Sequence, residues 1–292
     1  MRIAILSIDV RGHDLAGNFA AAAAGLRAAG AAGAELVCLP EMWPTSFTQG
    51  ATDAHLAESD QAVGKLMALT GELGLAAVGS AYGPRRGERG LPTNRVTLMD
   101  RGRAAAYHDK VHLFTPTAEH LAFSPGDEPP PVARIGERNG AKGVLVSPMV
   151  CYDLRFPDVA RMAFRSGAEL LTVSAQWPDR RAPHWAALIG GRAAETMGFV
   201  VACNRIGEEE IGRRRMRLSF GKGMSMVARP SGETLPAVQV DEIPHGKLGE
   251  GIEASRLSVF DLDLEEVHTL RRAVPVREDE RGDVIRRWWS ES

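Results

Sequence analysis

Short apolar runs typical of buried strands alternate with longer helical segments along most of this 292-residue chain. Near the start, residues 2–9 and 35–40 are predicted strands, and the alanine-rich segment 15–32 between them is a predicted helix with Asp14 as its N-cap. Such alternation predicts an α/β fold in which helices cover sheets. No repeat, linker or shift in composition divides the chain, so we expect one domain over residues 1–292. The pattern alone leaves open a doubly wound sheet, a barrel or a layered sandwich.

The same alternation continues through the rest of the chain. Strands are predicted at 75–81, 94–99, 103–108, 143–150, 169–175, 199–203, 223–229 and 255–260, and helices at 60–73, 156–166, 183–198 and 263–271. Residues 109–131 and 206–222 lack periodicity and predict two long loops, which in compact domains often serve function. The polar tail 273–292 carries the adjacent Trp288 and Trp289, so we expect it to pack on the domain or on a partner subunit.

Composition and charge narrow the functional classes. The 35 basic and 37 acidic residues give a net charge of −2, which indicates neither nucleic acid nor an anionic membrane as partner. No apolar run reaches the roughly 18 residues of a membrane span, and Met1 leads into a strand rather than a signal peptide. The three cysteines, Cys38, Cys151 and Cys203, are odd in number and widely spaced, which argues against a disulfide framework and predicts a reducing, cytoplasmic location.

Metal ligation has little support from local motifs. The sequence contains neither a Cys-x-x-Cys pair nor a His-Glu-x-x-His helix. His108, Asp109 and His112 lie close together, but neighbours in an extended strand point to opposite faces. Local hydrogen bonds are therefore the preferred interpretation of these three residues, and no metal is expected.

Cys151 is the cysteine whose surroundings indicate chemistry. It follows the apolar run 143–150, and Pro157 shortly after it suits the first turn of a helix. A thiol at a strand-to-helix turn lies near the positive end of a helix, which favours thiolate, and near backbone N–H groups that hold a developing oxyanion. Most cysteines are instead buried structural residues, a description that fits Cys38 and Cys203.

A cysteine nucleophile needs a base and a group that stabilises negative charge, and the sequence offers candidates for both. Glu41 follows a predicted buried strand, where a carboxylate is poorly tolerated unless it is paired or used. Lys110 also follows a strand, and only five of the 35 basic residues are lysine, which indicates a need for a compact point charge. Taken singly, either residue could be an ordinary surface side chain, and so could Glu119 and His120 in the loop beyond.

Taken together, three separate blocks resemble the nitrilase superfamily of carbon–nitrogen hydrolases. Their order and wide separation are those of the family, and the resemblance extends over nearly the whole chain. The blocks are Leu39-Pro40-Glu41-Met42, Asp109-Lys110-Val111-His112-Leu113-Phe114 and Val150-Cys151-Tyr152-Asp153-Leu154-Arg155-Phe156-Pro157. The resemblance implies a four-layer α-β-β-α sandwich, no cofactor and no metal. It also implies homodimers or higher homo-oligomers, in which the helices that follow the cysteine pack together.

The resemblance further implies a two-step mechanism. Glu41 takes the proton of Cys151, the sulfur attacks the substrate carbonyl, and Lys110 with the backbone N–H of Tyr152 stabilises the oxyanion. Ammonia leaves, and water activated by Glu41 hydrolyses the resulting thioester. Glu119 is expected to position the substrate or to tune Lys110 and Glu41.

The substrate is the least determined part of this prediction. Trp177-Pro178 and His184-Trp185 resemble the branch that contains bacterial omega-amidases, which favours short dicarboxylate monoamides such as 2-oxoglutaramate. Arg155 or Arg205 is a candidate for the distal carboxylate, although a structural ion pair is the preferred interpretation of Arg155. Departures from the family pattern are Gln176, which stands where asparagine is usual, and the segments 85–90 and 207–217.

Other functions remain open at this point. Nitriles, N-carbamoyl amines and aliphatic amides suit the same Glu-Lys-Cys set. A catalytically silent binding or assembly protein could also keep the fold, although the intact set speaks against it. A dinucleotide-binding function lacks support because no Gly-x-Gly-x-x-Gly follows the first strand.

Overall fold

The computed structural model describes residues 1–12, 14–47, 50–137, 142–211, 216–221, 223–248 and 251–291. Its strands form two large sheets and one hairpin. The first sheet has the order β14 (Gln239–Leu248), β15 (Gly251–Asp261), β1 (Arg2–Ser7), β2 (Leu36–Cys38), β3 (Ala76–Arg86), β4 (Leu91–Asp100) and β5 (Arg103–Asp109). The second has the order β13 (Thr234–Leu235), β12 (Met226–Ala228), β9 (Phe199–Asn204), β8 (Leu170–Ala175), β7 (Val144–Val150) and β6 (Ala133–Ile135). The hairpin pairs β10 (Glu208–Ile211) with β11 (Met216–Ser219).

The described residues form seven α-helices. They are α1 (Leu15–Ala31), α2 (Asp53–Leu73), α3 (Pro157–Arg165), α4 (Ala182–Thr196), α5 (Glu265–Ala273), α6 (Val276–Asp279) and α7 (Gly282–Glu291). None of these helices combines the length and apolar character needed to cross a bilayer, within the residues that the structure describes.

The clusters of buried residues show how the helices and sheets form four layers. Ile5 and Val78 of the first sheet share a core cluster with Val146 and Val173 of the second, so the two sheets face each other. The same cluster continues outward to α3 and α4, while a second cluster joins α1 and α2 to the opposite face of the first sheet. Burial of these faces is the main favourable contribution to folding. The predicted α-β-β-α sandwich is confirmed.

Parallel pairing brings chain segments to one edge of the sandwich. β1, β2 and β3 run parallel in one sheet, and β7, β8 and β9 run parallel in the other. The carboxyl ends of such strands share an edge, where functional sites of α/β proteins commonly lie. Glu41 follows β2, Lys110 follows β5, Cys151 follows β7 and Gln176 follows β8.

Some predicted elements differ from the observed ones. The predicted loop 206–222 contains the β10–β11 hairpin, with residues 212–215 and 222 outside the described part. The edge strand β14 was missed because its polar sequence lacks an apolar period. Helix α2 begins at Asp53 rather than residue 60, since Thr52 and the side chain of His55 form a capping box.

The C-terminal tail forms two helices. Between them, Glu280 accepts a hydrogen bond from Arg161 of α3 at 2.6 Å and lies 3.4 Å from Arg165. Trp288 is exposed over 62% of its surface, while the side chain of Trp289 lies outside the described residues. Contact of this tail with a partner subunit stays a prediction.

Candidate active site

Cys151 occupies a strained turn directly after β7. Its φ angle is +42°, a conformation that residues other than glycine rarely adopt. A short 3-10 turn, Cys151–Arg155, intervenes before α3 begins at Pro157. The thiol therefore lies at the start of this turn, rather than at the α-helix N-terminus that the sequence suggested. Only 8% of the residue is exposed, and such strained positions cluster at functional sites.

Lys110 forms the centre of a buried polar cluster. Its Nζ atom lies 2.8 Å from Oε1 of Glu41 and 2.8 Å from each carboxylate oxygen of Glu119. All three side chains are at most 4% exposed. The structure thus brings Lys110 into direct contact with both glutamates. Such a contact is needed if Glu119 is to tune Lys110, as the sequence analysis expected.

Backbone and side-chain donors fix the two carboxylates. Asn94 Nδ2 donates to Glu41 Oε1 at 2.9 Å, and the backbone N–H of Gln176 donates to Glu41 Oε2 at 3.0 Å. The backbone N–H of Phe114 donates to Glu119 Oε2 at 2.6 Å. Sequence reasoning missed Asn94; the strand that carries it also contains threonine, arginine and aspartate, so its amide side chain gave no distinct signal.

Burial and charge set the protonation of this cluster. Burial and the nearby Glu41 raise the pKa of the Cys151 thiol, although Lys110 acts against them. Burial also raises the pKa of Glu41, with Glu119 adding to it and Lys110 opposing it. For Lys110, burial lowers the pKa, but the carboxylates of Glu119 and Glu41 outweigh burial and raise it. These directions favour a neutral thiol beside an ammonium, and they place next to both a glutamate that, when ionised, can accept the thiol proton.

A narrow pocket lies above the cluster. Its cavity volume is about 40 Å³, and Glu41, Lys110, Glu119 and Cys151 form part of its lining. Its apolar walls are Phe47, Phe114, Tyr152, Trp177, Pro178 and Leu218. Tyr152 and Trp177, both predicted to support the site, therefore line the pocket. Apolar walls around a few polar groups are typical of a small-molecule site.

Two guanidinium groups also line the pocket. Arg155 stacks over the Trp177 ring at 4.8 Å from the centroid, and Arg181 stacks over the Phe114 ring at 5.0 Å. Within the described residues, neither pairs with a carboxylate. Burial, with the like charges of Arg180 and Arg155, lowers the pKa of Arg181. The preferred interpretation of Arg155 as a structural ion pair was wrong, and Arg181 was missed.

Arg205 is not available to a substrate. It is 1% exposed and forms ion pairs with Asp9, at 3.3 Å, and with Glu209. It also donates to Gln176 Oε1 at 3.0 Å. The expectation that Arg205 could hold a distal carboxylate was therefore wrong, because its guanidinium is already occupied by protein acceptors.

The geometry agrees with a comparison of the whole chain against known families. The sequence profile of the carbon-nitrogen hydrolases matches residues 2–272. The chain belongs to the carbon-nitrogen hydrolase family. It is accordingly a hydrolase of carbon–nitrogen bonds, as the three sequence blocks predicted.

Individual family members give a finer comparison. The omega-amidase YafV of Escherichia coli strain K12 is 32% identical over 206 residues, which cover 70% of this chain and 73% of that protein. The 2-oxoglutaramate amidase of Bacillus subtilis strain 168 is 30% identical over 253 residues, 86% of each chain.

A solved family member shares the fold over its full length. The NitN amidase of Nesterenkonia sp. AN1 superposes with a TM-score of 0.76 at 28% identity, covering 99% of each chain. A mutant of that amidase shows covalent addition of the acetamide moiety of fluoroacetamide at its active-site cysteine, again with a TM-score of 0.76, at 27% identity and covering 99% of this chain and 96% of that one.

Proposed function

We propose that this carbon-nitrogen hydrolase cleaves the amide bond of short dicarboxylate monoamides and releases ammonia, with Cys151 as nucleophile. The observation that carries the proposal is the placement of Cys151 beside the buried Glu41–Lys110–Glu119 cluster, under a pocket lined by two guanidinium groups without acidic partners in the described structure.

The first half of the reaction forms a thioester. Glu41 accepts the proton of the Cys151 thiol, and the sulfur attacks the amide carbonyl carbon. The Lys110 ammonium and the backbone N–H of Tyr152 stabilise the oxyanion of the tetrahedral intermediate, where losing one such donor commonly costs about 2.7–4 kcal/mol of barrier. The intermediate collapses as Glu41 returns the proton to the departing nitrogen, leaving ammonia and an acyl group on sulfur.

The second half hydrolyses the thioester. Glu41 takes a proton from water, the oxygen attacks the acyl carbon, and the proton passes to the leaving sulfur of Cys151. Glu119 contacts Lys110 through both of its oxygens, so it holds the ammonium in its charged form throughout. One base can serve both halves because each half returns the proton that it takes.

The preference for a carboxylate-bearing amide rests on Arg155 and Arg181. Two like charges that line one narrow pocket repel each other, and an anionic ligand relieves this repulsion. Guanidinium groups bind carboxylates through paired hydrogen bonds. The relatives named omega-amidase and 2-oxoglutaramate amidase support the same substrate class. Nitriles, N-carbamoyl amines and neutral aliphatic amides suit the same catalytic cluster but leave the two cations unused.

Ammonia release from a substrate panel tests the proposal. The panel holds 2-oxoglutaramate, succinamate, a neutral aliphatic amide, an aliphatic nitrile and an N-carbamoyl amino acid, and each is given to wild type and to Cys151→Ala. We expect the wild type to prefer the two monoamides and the variant to release no ammonia. Preference for another compound would overturn the substrate assignment, and steady turnover by the variant would overturn the nucleophile.

We also propose that the enzyme is a homodimer in a reducing cytoplasm. Its three cysteines are all free and buried, as suits a reducing compartment. Met162 of α3 and Trp288 of α7 are exposed large apolar residues, and Glu280, shortly before α7, pairs with Arg161 of α3. Light scattering of wild type and of Met162→Glu/Trp288→Ser tests the oligomer: we expect a dimer that dissociates in the double variant, and a monomeric wild type would contradict it.

A further inference from the structure

Gln176 donates two hydrogen bonds to Glu41, the proposed base. Its backbone N–H donates to the Glu41 carboxylate at 3.0 Å, and its side-chain Nε2 donates to the Glu41 backbone carbonyl at 2.9 Å. The remaining polar atom of this amide, Oε1, accepts from Arg205 Nη1 at 3.0 Å. An asparagine side chain is one methylene shorter, so from the same backbone position it would not span both partners. The departure from the usual asparagine thus has a structural consequence.

The guanidinium of Arg205 in turn contacts the β10–β11 hairpin and the residue that follows it. Its guanidinium stacks on Phe220 at 4.6 Å and forms an ion pair with Glu209 of β10. Glu209 also accepts a hydrogen bond from Ser46 at 2.5 Å. Ser46 is fully buried and has a φ angle of +55° in the turn that follows Glu41. The hairpin therefore contacts the environment of Glu41 by two separate routes.

The same hairpin forms part of the substrate pocket. Leu218 of β11 lines the pocket and packs with Phe220 against Phe47, another lining residue. One structural unit thus both shapes the wall that a substrate would touch and supplies one of the two acids that pair with Arg205.

We infer that Glu209, Arg205 and Gln176 form a positioning relay that orients Glu41 from the β10–β11 hairpin. None of the three touches the reacting atoms through its side chain; they act through the placement of the Glu41 backbone and carboxylate. Because a small displacement of a catalytic group can reduce rate strongly while substrate binding is kept, the relay acts on kcat rather than on KM. The inference rests on the proposed role of Glu41 as base.

A double-mutant cycle tests the relay. We expect Glu209→Gln to lower kcat about tenfold, with KM nearly unchanged, since misplacement of a catalytic group has effects of this order. Gln176→Asn should lower kcat similarly, and the double variant should be no worse than the single ones because both break one path. The matched control is Glu208→Gln, an exposed carboxylate of the same strand paired only with Arg217 among the described contacts, which should behave as wild type.

Alkylation of Cys151 by iodoacetamide, followed by intact mass, gives a second readout that needs no substrate. We expect the rate to fall in Glu209→Gln and Gln176→Asn by a similar factor, and to stay at the wild-type value in Glu208→Gln. If the amide panel is not cleaved, the proposed function fails while these rates still decide the relay. Additive losses of kcat in the cycle, or an unchanged alkylation rate in Glu209→Gln, would overturn the relay. A hairpin with a merely structural role would lower the melting temperature without the non-additive loss of kcat or the slower alkylation.

Discussion

The carboxylate of Asp153 joins the turn that carries Cys151 to the loop that follows Lys110. Its Oδ1 atom accepts a hydrogen bond from the backbone N–H of His112 at 2.9 Å and lies 2.8 Å from ring atom Nδ1 of the same histidine. His112 stacks on Phe156, with centroids 3.6 Å apart. This contact fixes the nucleophile's turn relative to the lysine and gives His112 a local hydrogen-bonding role, while His108 Nε2 lies 3.6 Å from the other carboxylate oxygen, Oδ2.

We expect Asp153→Asn to lower the free energy of unfolding by about 1.5–3 kcal/mol, the usual contribution of a hydrogen bond to a charged group. Burial opposes ionisation of Asp153, but the nearby His108 ring, 3.6 Å away, and the hydrogen-bonded His112 lower its pKa below the ordinary value. A carboxyl with a lowered folded pKa stabilises the protein above its unfolded pKa and loses that effect as pH falls through the folded value.

Urea unfolding at several pH values measures this difference. The difference in the free energy of unfolding between wild type and Asp153→Asn should vanish only in acid, at pH values below the ordinary aspartate pKa. Asp158→Asn, at an exposed first-turn position of α3, is the control and should cost less than about 1 kcal/mol. An equal loss of unfolding free energy in both variants would contradict the proposed stabilising role of the Asp153–His112 contact.

Cys151→Ala should abolish turnover and leave the fold intact. Both residues carry a Cβ atom, so the strain of the positive φ angle is nearly the same in the variant. Cys203→Ala is the matched control, because Cys203 is a fully buried thiol bonded to the Leu6 carbonyl. It should lower the melting temperature while keeping kcat. Residual steady turnover in Cys151→Ala would remove the cysteine from its proposed role.

Arg181→Ala and Arg155→Ala should weaken binding of a carboxylate-bearing amide. Loss of a charge-assisted hydrogen bond costs about 1.5–3 kcal/mol, so KM should rise roughly tenfold or more. KM for a neutral amide should change little. Arg180→Ala removes the exposed neighbouring cation, which does not line the pocket, and serves as control. Equal losses for the charged and the neutral amide would assign the two arginines a packing role instead.

Glu119→Gln should move the acid limb of the kcat/KM profile to lower pH. Burial raises the pKa of Glu41, and the charge of Glu119 raises it further while Lys110 opposes both. Removing the Glu119 charge therefore lowers the pH at which Glu41 becomes an ionised base, although the limb belongs to the coupled set as a whole. Glu128→Gln, exposed in the same loop region, should leave the profile in place. A shift to higher pH in Glu119→Gln would be inconsistent with this electrostatic arrangement.

The sequence was informative where function depends on local pattern. Cys151 follows an apolar run, and Glu41 and Lys110 follow strands, so their placement at strand ends was readable from the chain. The loop after Lys110 was correctly identified as irregular, and the structure brings its Glu119 onto the lysine. These features depend on short-range order and on the strand alternation that sets the fold class.

Contacts between the two sheets were not readable in the same way. Asn94 lies on a strand of the first sheet and Gln176 follows a strand of the second, yet both bind Glu41. No local period encodes such a meeting, because it depends on how the two sheets are stacked. The β10–β11 hairpin escaped prediction for another reason: its run of acidic residues, Glu208 to Glu210, has no apolar alternation to mark a strand.

Leu218 belongs to a hairpin that is part of neither large sheet, and this separation matters for how the enzyme could be diversified. A peripheral hairpin that forms a pocket wall is a segment that can be exchanged between homologues without rebuilding the hydrophobic core. In this chain, however, Glu209 on the same hairpin is one of two carboxylates, with Asp9, that pair with the buried Arg205. A chimaera that replaces the wall and omits Glu209 would leave the buried Arg205 with Asp9 as its only acidic partner among the described residues. An exchange of the Leu218 wall that changes substrate preference therefore has to keep Glu209 on the paired strand.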